Sequence, residues 1–284
     1  MTISDLKKSF QVELSELYSS SESLMLYYIF TEKTFGFTKH QLRKFENQSI
    51  LESDIEVFNS ILNQLKSGKP YQQITGEAEF YGKRFFVNEH VLIPRPETEE
   101  LLELASHYIQ EYQKEENLEN VKILDIGTGS GVIPIILKKM FSHAEVHAVD
   151  VSADALEIAQ KNADFHQTEI QFHQMDILTK IPNMEFDVII SNPPYIGQDE
   201  LIDIKDSVKS YEPNLALFSP TEDALLFYRR IAEISITNLK KGGLIFLEIN
   251  QKLGLETLAL YQNFSVSKLI KDISDNDRMI YAKK

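Results

Sequence analysis

Four consecutive residues, Asn192-Pro193-Pro194-Tyr195, carry groups suited to holding a nitrogen nucleophile, and they directly follow the apolar run FDVIIS. Asn192 offers a side-chain oxygen, Pro193 a carbonyl in a loop stiffened by two prolines, and Tyr195 a flat ring. A planar amide or exocyclic amine would donate one N–H to each oxygen while its plane stacks on the ring. The alternative interpretation is a plain turn in which the prolines end a strand.

A glycine-rich run lies closer to the N-terminus, between a predicted strand and a predicted helix. Its glycines let the backbone approach a ligand closely, and they stand at every second position, unlike the G-x-G-x-x-G of dinucleotide sites. An acid before them would repel a pyrophosphate but suits a ligand that carries an ammonium and a sulfonium. The run can also be only a tight strand-to-helix connection. The candidate cofactor-binding residues here are Asp125, Gly127, Thr128, Gly129, Ser130 and Gly131.

Two further carboxylates end the next two predicted strands. Asp150 could accept hydrogen bonds from both hydroxyls of a ribose, and Asp176, which Ile177 follows, could receive an adenine amino group. Each acid alone could be an ordinary polar strand end. Because ligands bind at the carboxyl ends of the strands in open α/β sheets, three strands that each end in Asp predict one pocket.

The composition narrows the chemistry. The 284 residues include no Cys and carry a formal net charge of −14, which excludes a disulfide framework, a thiolate nucleophile and a Cys-ligated metal. His143 and His147 lie at the start of a predicted strand rather than on one helix face, and we predict no metal site. We see no apolar run of membrane-spanning length and no signal-peptide pattern, so we expect a cytoplasmic protein. The acidic balance disfavours nucleic acid as a partner, because phosphate neutralisation needs clustered Lys and Arg.

The N-terminal part of the chain is predicted to be helical. Residues 1 to about 70 have apolar residues at helical spacing, and Ser53 with Glu56 predicts a capping box. Residues 71–94 are rich in aromatic and β-branched residues and predict a β-hairpin with a turn at Gly82 or Asn88.

The remainder alternates between strand and helix patterns, which predicts a parallel, doubly wound α/β sheet. Lys240 and Lys241 are expected to lie at the C-terminus of its last helix, where cations complement the dipole. The last two runs predict an antiparallel hairpin at the edge of that sheet. The predicted strands are 121–127, 145–151, 170–176, 186–192 and 243–250, and the predicted helices lie near 131–141, 152–163 and 222–240.

Together, DIGTGSG, the Asp150 strand end and NPPY resemble the S-adenosylmethionine-dependent methyltransferases that methylate planar NH2 nitrogens. Further segments narrow the resemblance to the bacterial protein-(glutamine-N5) methyltransferases of peptide chain release factors, the HemK/PrmC family. It spans about residues 70–284. LEINQKLG (247–254) departs from the family's Glu-x-Gly-x-x-Gln, because it keeps Glu248 but not the Gly or the Gln spacing. The narrowing segments are YQQITGEAEFYG (71–82), VLIPRPETEEL (91–101), SNPPYI (191–196), YEPNLAL (211–217) and NDRMI (276–280).

The resemblance implies a Rossmann-like class I methyltransferase sheet with S-adenosylmethionine as cofactor and class-1 peptide chain release factors as protein substrates. The acceptor would be the glutamine of their GGQ tripeptide. The implied domains are a helical substrate-recognition domain over 1–75, a β-hairpin linker over 76–95 and a methyltransferase domain over 96–284. We expect a monomer. The implied cofactor-binding residues are the glycine-run candidates with Asp150, Asp176, Ile177 and Asn192, the substrate-binding residues are Asn192, Pro193, Pro194 and Tyr195, and the catalytic residues are Asn192, Pro193 and Tyr195.

Three alternatives stay open at this point. A ribosomal-protein glutamine methyltransferase shares NPPY, but that group resembles PRSP rather than the IPRPE at 93–97. An adenine-N6 DNA methyltransferase would need a target-recognition region and a basic face to flip a base, and neither is visible in the sequence. A non-catalytic nucleoside-binding module would be favoured by loss of Asn192 or of the glycines, and neither is lost.

Overall fold

The computed structural model describes residues 1–180, 182–195, 211–218, 221 and 223–284. Ile196, the last residue of SNPPYI, lies outside them. The described residues form two compact units, of which the first holds Met1–Gly76 with Tyr211 and the second holds the others. In the described part of the chain, no helix combines the length and the apolarity that a membrane crossing needs.

The first unit is a helical bundle around an apolar core, as predicted. Its helices are α1 (Ile3–Glu13), α2 (Ser20–Phe35), α3 (Lys39–Lys44), α4 (Glu52–Lys66) and α5 (Tyr71–Thr75). The first three each begin with a capping box. The box predicted at Ser53 and Glu56 is wrong, because α4 has no side-chain cap. The Leu51 carbonyl already accepts from the amides of Asp54 and Ile55, so Ser53 lies inside the first turn.

The second unit begins with the predicted hairpin, which consists of β1 (Glu77–Phe80) and β2 (Lys83–Phe86). Its two loop residues, Tyr81 and Gly82, have φ values of 52° and 63°. Two left-handed residues in a two-residue loop match the twist of the flanking strands. The predicted turn at Gly82 is therefore confirmed.

A seven-stranded sheet forms the centre of the second unit, in the order β5-β4-β3-β6-β7-β9-β8. Strands β3 to β7 pair in parallel, and the last two pair antiparallel at one edge. Both the α/β sheet and the edge hairpin are confirmed. The strands are β3 (Lys122–Ile126), β4 (Glu145–Asp150), β5 (Gln171–Gln174), β6 (Phe186–Ser191), β7 (Leu239–Glu248), β8 (Val266–Lys271) and β9 (Asp277–Lys283).

Helices accompany this sheet, and its central strands are apolar and almost wholly buried, as expected of parallel strands covered on both faces. The chain runs outward from β3 to β5 and returns on the other side of β3 as β6, so the strand order reverses between β3 and β6. The helices are α6 (Pro96–Glu115), α7 (Val132–Met140), α8 (Ala153–His166), α9 (Asn214–Leu217), α10 (Leu226–Asn238) and α11 (Gly254–Ala259).

The prediction that Lys240 and Lys241 end a helix is wrong. They belong to β7, which starts at Leu239 and shifts its register against β6 between Phe186 and Val188. The Lys240 ammonium lies 2.9 Å from both carboxylate oxygens of the buried Asp187. A buried carboxylate needs a partner, and that long-range ion pair favours the strand over a helix end.

Candidate active site

A cavity of about 650 Å³ lies at the carboxyl ends of the parallel strands, where the strand order reverses. This is the expected ligand position in open α/β sheets, and the volume suits a small-molecule cofactor. Among the predicted site residues, Asp125, Gly131 and Tyr195 do not line it, although each is next in sequence to a residue that does. The predicted residues that line it are Gly127, Thr128, Gly129, Ser130, Asp150, Asp176, Ile177, Asn192, Pro193 and Pro194.

The three glycines after β3 differ in what they do. Gly127 and Gly129 have φ values of 75° and 53°, and a Cβ on either would meet no atom within 4 Å. A Cβ on Gly131, whose φ is 79°, would lie 3.1 Å from the Cβ of Ala159 in α8. The first two therefore leave room beside the backbone, whereas Gly131 lets α7 begin close to α8.

Asp150, the last residue of β4, ties that strand to the glycine loop. Its Oδ2 accepts from the Gly129 amide at 2.8 Å, and its Oδ1 accepts from the Ser152 amide at 3.0 Å. Burial raises its pKa above the usual range. Each carboxylate oxygen can accept a second hydrogen bond, so Asp150 can still receive a pair of ligand hydroxyls.

Asp125 is fully buried behind the loop. Within the described residues, neither its carboxylate oxygens nor the Thr128 hydroxyl has a hydrogen-bond partner, which is unusual for buried polar groups. Burial raises the pKa of Asp125 to about 7, the Thr128 hydroxyl beside it opposes this rise, and the charge of Asp150 adds to it. A buried acid directly before the glycine loop favours a cationic ligand at that loop. With the Asp150 oxygens and the two open glycines, this donor set fits S-adenosylmethionine.

Asp176 lies two residues beyond the end of β5, so the predicted strand 170–176 is too long at that end. Its Oδ1 accepts from the Leu178 amide at 2.9 Å, which makes a tight local turn. The Ile177 carbonyl accepts from Arg230 Nε at 2.7 Å. The Asp176–Ile177 wall of the cavity is thus fixed by its own backbone and by α10.

Asn192 follows β6 and is held by a residue that the sequence did not identify. Its Nδ2 donates to Thr98 Oγ1 at 3.1 Å, and the Thr98 hydroxyl donates to Glu248 Oε2 at 2.6 Å. Burial raises the pKa of Glu248 to about 7. The sequence signal for Thr98 was its place in VLIPRPETEEL (91–101), one of the segments that carry the resemblance.

Comparisons with known proteins identify the family. The family model "Methyltransferase small domain" matches residues 103–207. A release factor glutamine methyltransferase of Flavobacterium psychrophilum is 44% identical, over 99% of this chain and 98% of its own length. One of Streptococcus pneumoniae is 38% identical, over 97% and 95%. The chain belongs to the release factor glutamine methyltransferase family.

The expected class I methyltransferase fold and the assignment as an enzyme are confirmed by this membership. Among solved structures, a methyltransferase from Pyrococcus furiosus is similar with a TM-score of 0.49 and 19% identity, over 79% of this chain and 98% of that one.

The segment in which this family member departs from the expected pattern still supports the NPPY loop. Asn250 donates through Nδ2 to the Tyr195 carbonyl at 3.2 Å, and its amide donates to the Tyr228 hydroxyl at 3.1 Å. The Tyr195 hydroxyl lies 3.5 Å from Glu248 Oε1, and burial raises the Tyr195 pKa. Residues 247–254 therefore position the loop after β6 by contacts of their own.

A buried carboxylate also fixes the IPRPE loop that the family shares. Glu212 Oε2 accepts from the Ile93 amide at 3.1 Å, and Glu212 Oε1 lies 2.5 Å from Arg95 Nη2. Pro94 and Arg95 line the cavity beside Pro213. This loop is thus part of the cavity wall.

Proposed function

We propose that the protein transfers a methyl group from S-adenosylmethionine to the side-chain amide nitrogen, N5, of the glutamine in the GGQ tripeptide of class-1 peptide chain release factors. The observation that carries this is the pair of acceptors at the cavity. Asn192 commits its Nδ2 to Thr98, which leaves its Oδ1 for a substrate N–H. Among the described residues, none donates to the Pro193 carbonyl, so it can accept the second N–H.

S-Adenosylmethionine supplies, when bound, an electrophilic methyl group on a sulfonium. The loop of Gly127 and Gly129 would hold its methionine part, Asp150 its ribose, and Asp176 with Ile177 its adenine. Asp125, when ionised, places negative charge behind the loop and so favours a cation there. This assignment rests on the chemistry of the groups and on the family membership.

The glutamine amide nitrogen is a weak nucleophile, because its lone pair is delocalised into the carbonyl. Hydrogen bonds from the substrate N–H groups to Asn192 and Pro193 raise electron density on nitrogen and stabilise the positive charge that develops there. Holding the amide in one orientation can contribute about 7–11 kcal/mol. That the ring of Tyr195, which does not line the cavity, adds cation–π attraction of about 0.5–2 kcal/mol stays a prediction. The positively charged nitrogen then loses its proton to water, so no strong general base is assigned.

The N-terminal helical unit is proposed to recognise the protein substrate. It has its own aromatic core, in which Phe10 packs on Tyr27 and Phe58, and none of its described residues lines the cavity. That the protein works as a monomer, and that nucleic acid is not a partner, stay predictions. Size-exclusion chromatography coupled to light scattering tests the first part.

Methylation assays test the proposed function. The protein is incubated with isotope-labelled S-adenosylmethionine and one purified substrate at a time: a class-1 release factor, ribosomal proteins or double-stranded DNA. Mass spectrometry should place the label on the GGQ glutamine alone. A release factor in which that glutamine is replaced by Ala is the matched control and should stay unlabelled. Label on ribosomal protein or DNA with none on the GGQ glutamine would refute the proposal.

A further inference from the structure

Three secondary-structure elements bring one side chain each to the acceptor end of the cavity. Thr98 comes from the first turn of α6, Asn192 follows β6, and Glu248 ends β7. Thr98 is 4% exposed and Glu248 is 1% exposed. Two hydrogen bonds connect the three, at 3.1 Å between Asn192 and Thr98 and at 2.6 Å between Thr98 and Glu248.

The direction of these bonds follows from the donors available. An ionised carboxylate only accepts, and a hydroxyl has one hydrogen to give. The Thr98 hydrogen is therefore committed to Glu248, and the Thr98 oxygen is left to accept. Of the two ends of the Asn192 amide, only Nδ2 can donate to it. The Glu248 carboxylate, at the other end of this series of hydrogen bonds, thus determines that the Asn192 oxygen remains for the substrate.

We propose that Thr98 and Glu248 are positioning residues that keep the Asn192 oxygen, rather than its NH2 group, directed at the acceptor nitrogen. This inference rests on the proposed function. If Glu248 carried a proton, it could donate to Thr98, and the Thr98 hydrogen could turn towards Asn192. The Asn192 amide could then rotate and present N–H groups to the N–H groups of the substrate, which repels them.

The charges around Glu248 place this change near neutral pH. Burial raises its pKa to about 7, the bond from Thr98 and the charge of Arg278 on β9 oppose that rise, and Glu97 on α6 adds to it. Tyr195, in the loop after β6, and Tyr228 on α10 also face it. We therefore expect kcat to rise with pH as Glu248 ionises.

Thr98→Val tests the chain of bonds, because it removes the hydroxyl and keeps the branched shape. The measured quantities are kcat towards a release factor at pH 8 and cofactor affinity by calorimetry. We expect kcat to fall about 100-fold and cofactor affinity to stay within about threefold. Thr98→Ser should restore kcat to within about threefold of wild type. Thr257→Val is the matched control, since Thr257 is equally buried but lies away from the cavity, and it should keep wild-type kcat.

A double-mutant cycle separates positioning from general damage. Glu248→Gln should lower kcat strongly and remove the rise with pH, whereas Thr98→Val/Glu248→Gln should be no slower than Thr98→Val alone. Independent structural effects would multiply instead, and they would overturn the inference. Wild-type kcat in folded Thr98→Val would also overturn the inference.

If Thr98→Val does not fold, as judged by near-ultraviolet circular dichroism, the pH profiles of Thr98→Ser and Glu248→Gln test the inference instead: kcat should rise with pH in Thr98→Ser and not in Glu248→Gln. Failure of the wild type to label the GGQ glutamine would instead refute the proposed function.

Discussion

The two ends of the cavity are formed by different kinds of groups. At the cofactor end, the glycine loop and Asp150 offer backbone and carboxylate groups from neighbouring stretches of chain, with Asp125 behind them. At the acceptor end, Asn192 depends on side chains that lie far away in sequence, because Thr98 precedes it by 94 positions. Backbone conformation therefore shapes one end, and a connected set of buried side chains shapes the other.

Mutations at the two ends should therefore impair different steps. A change in the glycine loop disturbs space and backbone strain, so it should appear in cofactor affinity. A change at Asn192 leaves space intact and removes an oriented acceptor, so it should appear in turnover.

Replacing Asn192 should have the largest effect. In Asn192→Ala the substrate nitrogen loses its oriented side-chain acceptor, and kcat should fall about 1000-fold, while calorimetry should show nearly wild-type cofactor binding. Asn183→Ala is the matched control, because Asn183 is exposed in the turn before β6 and does not line the cavity. Unimpaired turnover of Asn192→Ala would remove the residue from the mechanism.

Replacing Gly129 should weaken the cofactor end. Gly129→Ala strains a left-handed residue by about 1–2 kcal/mol and puts a methyl group into the cavity, so we expect a cofactor Kd at least about tenfold higher. Gly36→Ala introduces the same kind of backbone strain, since Gly36 has a φ of 68° and open space around it, but it should leave the cofactor Kd unchanged. Equal Kd changes in both would mean that strain alone acts.

Asp125 should make the stability of the cofactor-free protein depend on pH. Its folded-state pKa of about 7 lies above its usual value of 3.8, so stability is lost as pH rises from about 4 to 7. Asp125→Asn should lack that loss, and at pH 8 its Tm should exceed that of wild type by roughly 5 °C, while its cofactor affinity falls. The exposed Asp164→Asn should keep the wild-type pH dependence. A wild-type pH dependence in Asp125→Asn would contradict the assignment.

The smallest effect is expected at the Tyr195 hydroxyl. At 3.5 Å from Glu248, it makes a weak hydrogen bond, so Tyr195→Phe should keep kcat within about threefold of wild type. Tyr195→Leu, which loses the ring, should be slower than Tyr195→Phe. A large loss in Tyr195→Phe would show that Glu248 acts through Tyr195 as well as through Thr98.

The sequence predicted the cofactor end of the cavity better than the acceptor end. Asp125, the glycines and Asp150 stand at the ends of apolar runs, and their spacing alone predicted one pocket. The partner of Asn192 could not be found this way, because it depends on how α6 packs against β7. A long-range ion pair also explains the wrong prediction that Lys240 and Lys241 end a helix, because Lys240 pairs with Asp187 and lies in a strand. Ser53 resembled a cap, but the helix had already started at Glu52.

The bond between Thr98 and Glu248 spans 150 positions of the chain, and this bears on synthesis. On a ribosome, the glycine loop and β4 emerge within a few seconds of each other, since translation adds about 5–20 residues per second. The Thr98 hydroxyl can bond to the Glu248 carboxylate only after β7 has been synthesised. A growing chain therefore carries the glycine loop well before it can orient Asn192, and we expect methyl transfer only after Glu248 has been added.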